Sequence, residues 1–459
     1  MAQKLLLALS LTLLASAAMA ERKLPLQLSE EQQCRFQRIT VARPSRRIES
    51  EGGFTELWDE REDQFQCAGV VAMRNTIRAN GLSLPNYHPT PRLVFIERGQ
   101  GFIGITFPGC AETYHAHATQ RTGKSSESWE REQQGSARDL HQKVHRIRRG
   151  DIVAIPAGAA HWCYNDGDEE LIAVSINDLN HISNQLDQKF RAFYLAGGVP
   201  KGGQQEEQAR QTFQNVFQAF DSDLMAEAFN VSPEIVKQLQ TEEEQRGLIV
   251  IARERMSFIR PEEERPREEW GSQKSDNGLE ETLCAMNIRT NIEDRSEADI
   301  YSRQAGKINL VDRHKLPLLA YMDLSAEKGN LYPNAMSSPD WAMLGHTIVY
   351  VTRGDAQMQI VSHTGQAMMN ERVNEGDMFV VPQYYTSTVR AGDNGFEWVA
   401  FKTTGWPMRN PMAGYTSVIR AMPLQVLTNA YGISPKQAQG LKMNRGGQSF
   451  LLSPGRRQY

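Results

Sequence analysis

Short apolar runs punctuated by Gly, Pro and Asn dominate the hydrophobic pattern, and the clearest of them lies between Gly150 and Asn165. Ile152-Val153-Ala154-Ile155 is long enough for one buried strand and too short for a helix. Pro156, Gly158 and the small residues between them predict a tight turn. His161-Trp162-Cys163-Tyr164 predicts a second strand, closed by a further turn at Asn165-Asp166-Gly167.

The pattern recurs. Val94 to Gly99 aligns with Val349 to Gly354, Gly150 to Pro156 with Gly376 to Pro382, and Leu224 to Leu239 with Val426 to Leu441. The offsets are 255, 226 and 202, so the first copy carries insertions between its landmarks. Short strands broken by turn residues favour a jelly roll or sandwich in each copy. The third landmark is helical instead. Ser232 fits an N-cap and Pro233 the first helical position, with Ile235, Val236 and Leu239 on one face. Upstream, Val216, Phe217, Phe220, Leu224 and Phe229 form a second amphipathic stretch. The fold class is therefore mainly β, two barrels each with a small α-helical extension. The apolar helix faces pack either within the chain or against another subunit.

Polar, aperiodic stretches at 111–148 and 197–211 predict exposed loops. Residues 253–281, rich in Glu, Arg, Pro, Ser and Gly, predict an exposed linker between the copies. The linker contains Asn277-Gly278, which suits either an ordinary turn or an open site for an Asn-selective protease. The N-terminus has a different character. Lys4, the apolar run Leu5 to Leu14 and Ala18-Met19-Ala20 form a secretory signal peptide over 1–20, cleaved between Ala20 and Glu21. The expected units are then 21–252, the linker 253–281, and 282–459. No later segment is apolar enough to span a bilayer. A formal charge of −4 gives no sign of a nucleic-acid partner. The five cysteines are Cys34, Cys67, Cys110, Cys163 and Cys284. The odd count leaves at least one unpaired or intermolecular, and Cys163, inside a predicted strand, best fits a buried free thiol.

The spacing of Gly150, Pro156, Gly158, His161 and Asn165 resembles the second signature motif of the cupins. Many cupins are metalloenzymes, with His-x-His and Glu from a first motif and a third His from the second. His161 occupies that last position. Near Gly81, however, only His88 falls close to the first motif. It is out of register by one, so on a strand it points to the opposite face. His115-Ala116-His117 imitates the opening of the motif, but Arg121 and Thr122 stand where Glu is required. In the second copy Tyr384, Ser387 and Ala391 replace Gly, His and Asn. His346 and His363 are isolated, consistent with ordinary barrel histidines. These residues predict no metal, no cofactor and no catalytic group. Asn230-Val231-Ser232 fits a glycosylation sequon, but Ser232 is needed as a cap and Pro233 follows, so Asn230 is expected to be unmodified.

Four blocks together resemble a narrower family: Asn277 to Cys284, Phe65 to Val70, Gly150 to Asn165, and Gly405 to Leu427. These are similar to the legumin-type 11S globulins, the seed storage proteins of plants. The resemblance implies a nutrient reservoir rather than an enzyme. It implies a precursor entering the endoplasmic reticulum, trimeric at first, and cut by an asparaginyl endopeptidase in the protein storage vacuole to form hexamers. On this chain the cut falls between Asn277 and Gly278. The C-terminal piece has 18 Lys+Arg against 16 Asp+Glu, a formal +2, and residues 21–277 carry −7, matching the family's basic and acidic chains. The resemblance also pairs Cys34 with Cys67 and Cys110 with Cys284, leaving Cys163 free. Since members are often food allergens, it adds IgE to the partners. The alternatives are a secreted cupin metalloenzyme and a small-molecule-binding bicupin. Both require an occupied barrel.

Overall fold

The computed structural model describes residues 36, 38–59, 61–110, 114–115, 140–198, 213–240, 246–256, 284, 286–293 and 298–455. In the first copy, one sheet runs in the spatial order 46–50, 53–58, 70–77, 171–178, 92–98, 151–155 and 289–291. A second sheet runs 193–194, 81–87, 160–164, 100–106 and 144–148, with 249–251 also paired to 81–87. All named pairings are antiparallel, as expected of a jelly roll. Strands 92–98, 151–155 and 171–178 of the first sheet read as nearly continuous apolar runs. Every residue of Asp151–Ile155 and of Leu171–Asp178 is buried, because both faces of this sheet are covered.

In the second copy the barrel is one connected sheet. Two long strands, Thr347–Val361 and Thr386–Lys402, pass through it and pair with each other. Their register shifts near Arg353 and Gly354, the bend at which the first copy instead breaks into separate strands around Gly99. Phe36 and residues 38–42 lie on this second barrel: Ile39 belongs to its core, and the Ala42 amide donates to the Met378 carbonyl. Conversely, Arg289–Asn291, which the sequence placed in the second unit, adds an edge strand to the first copy by pairing with Asp151–Val153.

The helical extensions form as their caps dictate. Ser222–Phe229 begins at Asp221, whose carboxylate accepts from the Asp223 and Leu224 amides, and ends at Asn230 in the left-handed conformation. The sequon asparagine is thus a helix terminator. The next helix is Pro233–Gln240. The second copy repeats the pair as Leu424–Tyr431, ended by Gly432, and Pro435–Met443. The latter starts with a capping box between Ser434 and Gln437 and has a proline in its first turn.

One expectation is corrected. Part of the supposed loop 111–148 is a barrel strand, Val144–Arg148, paired with Gln100–Gly104. Val144 and Ile147 are buried while His145, Arg146 and Arg148 are not. This is an edge strand whose charged residues hide its period.

Glycine is required where each copy begins its strand hairpin. Gly53 and Gly306 have φ of +149° and +132°, and a Cβ at either would overlap the carbonyl oxygen of Thr76 or Asn330 across the ladder. Gly306→Ala is expected to cost about 2 kcal/mol or more, measured as a lower urea midpoint. A variant with an unchanged midpoint would show that the strand gives way freely at this point.

Candidate functional site

The first barrel's interior is built around the signature histidine. Pro156 to Ala159 turns the chain, and the Gly158 amide donates to the His88 carbonyl. The strand Ala160–Tyr164 then directs His161 inward. Its Nδ1 lies 3.1 Å from the Ala159 carbonyl, and its Nε2 3.4 Å from Nη1 of Arg92. Arg92 also donates to Asn177 Oδ1 at 3.1 Å and to Met73 Sδ at 2.9 Å. His88 joins the group: its ring centroid is 5.6 Å from that of His161, and its Nδ1 is 3.1 Å from the Arg191 carbonyl. All three of His88, Arg92 and His161 are buried.

This overturns the register argument against His88. Its strand ends at Tyr87, whose ring stacks on Phe193, so alternation no longer governs the next residue. Two histidines do meet, yet they face a guanidinium. With Nδ1 donating to a carbonyl, His161 uses its Nε2 lone pair to accept from Arg92, the same lone pair a metal would need. Burial, reinforced by Arg92, pulls His161 down to about 3, and the same causes hold His88 well below the ordinary histidine range. Both are neutral near pH 7. Among the described residues no group of three or more His, Cys, Asp or Glu converges as a metal site. Of the imitation motif, His115 lies in a short ribbon with Leu140, and His117, Arg121 and Thr122 fall outside the described residues.

In the second copy Tyr384 has φ +65°, the left-handed turn geometry that Gly158 supplies in the first copy. His346 is half-buried just before its strand and accepts from the Gln383 amide. His363 is an exposed turn residue, contrary to its reading as a barrel histidine. The polar centre of this barrel is a charge cluster. Arg409 donates to Glu327 Oε2 at 2.8 Å, Lys402 Nζ lies 3.3 Å from the same oxygen, and Trp398 donates to Oε1. Burial pushes Glu327 up, but Arg409 and Lys402 outweigh it and hold the carboxyl below its usual range. Burial pulls Lys402 down to about 8 and raises Asp340 to about 6. Sequence reasoning missed Arg92 and this cluster. Their only signal is a charge at the end of an apolar run, in Arg92-Leu-Val-Phe-Ile and Val399-Ala-Phe-Lys402.

Cys110 and Cys284 form a disulfide spanning 174 residues of sequence, with Cα atoms 5.5 Å apart. Cys67, on the helix Asp63–Ala68, is also disulfide-bonded; Cys34 lies outside the described residues. Cys163 is a free thiol packed against the core, and burial pushes it up to about 12. It is therefore unreactive as a nucleophile. Ala20, Glu21, Asn277 and Gly278 also lie outside the described residues.

Two jelly rolls with matching helical extensions define a bicupin, and the Cupin family matches residues 39–201 and 290–439. Over 455 residues the chain is 72% identical to 11S globulin seed storage protein 2 of Sesamum indicum, covering 99% of each. Among solved structures, pumpkin seed globulin superposes with a TM-score of 0.80 at 37% identity, over 92% of this chain and 100% of that one. Recombinant pro-11S globulin of pumpkin gives a TM-score of 0.78, also at 37% identity and the same coverage. The chain belongs to the 11S globulin seed storage proteins.

The buried histidines imply a pH dependence. The folded pKa of His161 lies below the unfolded value, so between pH 6.5 and about 3 the unfolded chain binds more protons there and stability falls as pH falls; His88 acts in the same direction. His161 contributes up to about 1.4 kcal/mol per pH unit in that window. Urea unfolding at pH 7 and pH 5 should show a smaller loss for His161→Gln than for the parent chain. Equal losses would place His161 in contact with water.

Proposed function

We propose that this seed storage protein is a non-enzymatic reservoir, made as a secretory precursor and cut between Asn277 and Gly278. The products would be an acidic chain 21–277 and a basic chain 278–459 held by Cys110–Cys284, with Cys34–Cys67 inside the acidic chain. The carrying observation is the Cys110–Cys284 bond itself, since its two cysteines belong to different products of that cut. A bridge across so long a loop adds about 2–4 kcal/mol in the chain-entropy picture. It would also keep the fragments together after proteolysis. The likeness to a pro-11S globulin supports a precursor stage.

The route proposed is through the endoplasmic reticulum to the storage vacuole, with removal of 1–20 before Glu21 and an asparaginyl endopeptidase as the processing partner. Among the described residues no helix is long and apolar enough to cross a membrane. The helical extensions support assembly. Leu224 and Phe229 in the first copy, and Tyr431 and Leu441 in the second, are each at least half exposed. Covering the one extension with the other on a neighbouring subunit is a head-to-tail contact that closes into a ring, the trimer proposed before the cut; the hexamer proposed after it would join two such rings through a second contact. An allergen among the structural relatives, coconut cocosin, supports IgE as a further partner.

Gel electrophoresis of seed-derived protein should give one band without reductant and two with it, the smaller beginning at Gly278. Asn277→Ala should leave a single full-length band under both conditions. A full-length band from the parent chain after reduction would remove the cleavage. Separately, Leu224→Glu should shift the precursor from trimer to monomer in light scattering, while an unchanged trimer would place the interface on another face.

A further inference from the structure

Three Asn-Gly pairs occur in the chain: Asn80-Gly81, Asn277-Gly278 and Asn394-Gly395. In such a pair the amide nitrogen of the glycine can attack the carbonyl carbon of the asparagine side chain, because no Cβ on the second residue blocks the approach. Asn277-Gly278 lies outside the described residues. The other two pairs are described, and they differ in the features that this attack needs.

Asn80 is held at both ends of its side chain. Its Nδ2 donates to the Ala252 carbonyl at 2.8 Å, and its Oδ1 accepts from the Tyr164 hydroxyl at 2.6 Å. The attacking group is occupied as well, since the Gly81 amide donates to the Arg78 carbonyl at 2.9 Å. Asn394, in contrast, is exposed, and among the described residues its side chain makes no hydrogen bond. It stands in a bulge. The register of the two long strands passes from Gly354 opposite Phe396 to Ala356 opposite Ala391, so residues 392–395 have Asp355 alone facing them. The base of the bulge is fixed. Asn334 donates its backbone amide to the Gly392 carbonyl at 3.1 Å and its side-chain amide to Asp393 Oδ1 at 3.0 Å. Beyond Asp393 no register pair constrains the chain until Phe396, and Gly395 has a φ of +80°.

We propose that Asn394 is a site of spontaneous deamidation, and that the fold protects Asn80 from the same reaction. The Gly395 nitrogen bonds to Cγ of Asn394 and gives up its proton to solvent. The Cγ–Nδ2 bond breaks and ammonia leaves. Water then opens the resulting succinimide at either carbonyl, which yields aspartate or isoaspartate at 394. Nothing is oxidised or reduced, and water is the sole co-reactant. The product carries a new negative charge next to Asp393 and near Asp355, whose carboxylate lies against Gly392. In the isoaspartate form the backbone also gains a carbon. Both changes fall in the bulge, outside the register pairs, so the barrel can accumulate them while its ladder stays intact.

Incubating the full chain at pH 8 in heavy-oxygen water labels each conversion that takes place in the folded protein, since one oxygen of the new carboxylate comes from solvent. Trypsin and mass spectrometry then read the two sites on separate peptides, Ala391–Lys402 and Ala79–Arg92. Asn394 should take up label at least about tenfold faster than Asn80, because the hydrogen bonds on Asn80 and on the Gly81 amide must break before attack. In urea, where those bonds are gone, the two rates should converge. Asn394→Gln should abolish the rapid labelling of its peptide. Absence of label at Asn394 in the folded chain, or label that persists in that peptide after Asn394→Gln, would overturn the proposal. Equal rates in the folded chain, or a tenfold difference that survives in urea, would overturn the protection ascribed to the fold.

Discussion

Side chains from both copies meet in a single hydrophobic cluster, in which Phe95, Ile152 and Val174 of the first share a core with Ile348, Tyr350, Met378 and Phe401 of the second. Each large apolar side chain removed from water there contributes about 1.5–3 kcal/mol, and neither copy could keep that gain alone. The polar groups at this junction arrive paired. Tyr350 donates its hydroxyl to Glu97, which also receives Arg74. Gln64 spans the copies with both ends of its amide, donating to the Thr40 carbonyl and accepting from the Val380 amide. The repeat is therefore a duplication in sequence but a single unit in energy.

Crossed arms tighten that unit. The segment around Ile39 and Ala42 leaves the first copy to pack on the second, and Arg289–Asn291 leaves the second to extend a sheet of the first. Asn291 also donates to Asp151 and to the Arg149 carbonyl, so the arm is fixed by side chains as well as by the ladder. Asp151 is completely buried and receives Arg289 as well. Both arms and the shared core are built from residues outside 257–283, so a cut there would pass through none of them.

Much of this was legible in the sequence, for identifiable reasons. Strand runs bounded by Gly turns, and Ser-Pro helix starts, are local signals, and both copies carry them, so the barrels and their extensions follow directly. Val144–Arg148 was missed because an edge strand needs only Val144 and Ile147 inside, and its three polar neighbours imitate a loop. His88 was misplaced because alternation was extended one residue beyond the strand that enforces it. The arms were illegible for a different reason. Nothing in Arg-Thr-Asn at 289–291 indicates which of two similar sheets it will join, since that is settled by Asp151, far away in sequence. Arg92 and Lys402 sit at the ends of apolar runs, where a charge more often faces solvent. Only the closed barrel turns them inward.

The two interiors resolve one problem in different ways. A barrel of this size cannot be filled by aliphatic side chains alone, and whatever polar group enters must be satisfied there. In the first copy the signature histidine remains, and Arg92 occupies its free lone pair while Asn177 and Met73 occupy the other guanidinium nitrogens. His88 Nε2, buried beside this network, has no hydrogen-bond partner among the described residues, and both histidines stay neutral. In the second copy the histidine position is Ser387, which is too short to reach across. The interior polarity is carried instead by Glu327 and Asp340 against Lys402 and Arg409, two carboxylates and two cations whose formal charges cancel. The first interior keeps a single buried cation, Arg92, among neutral partners, and burial pulls it down to about 10. One barrel thus meets the problem with hydrogen bonds to a lone charge, the other with compensating charges.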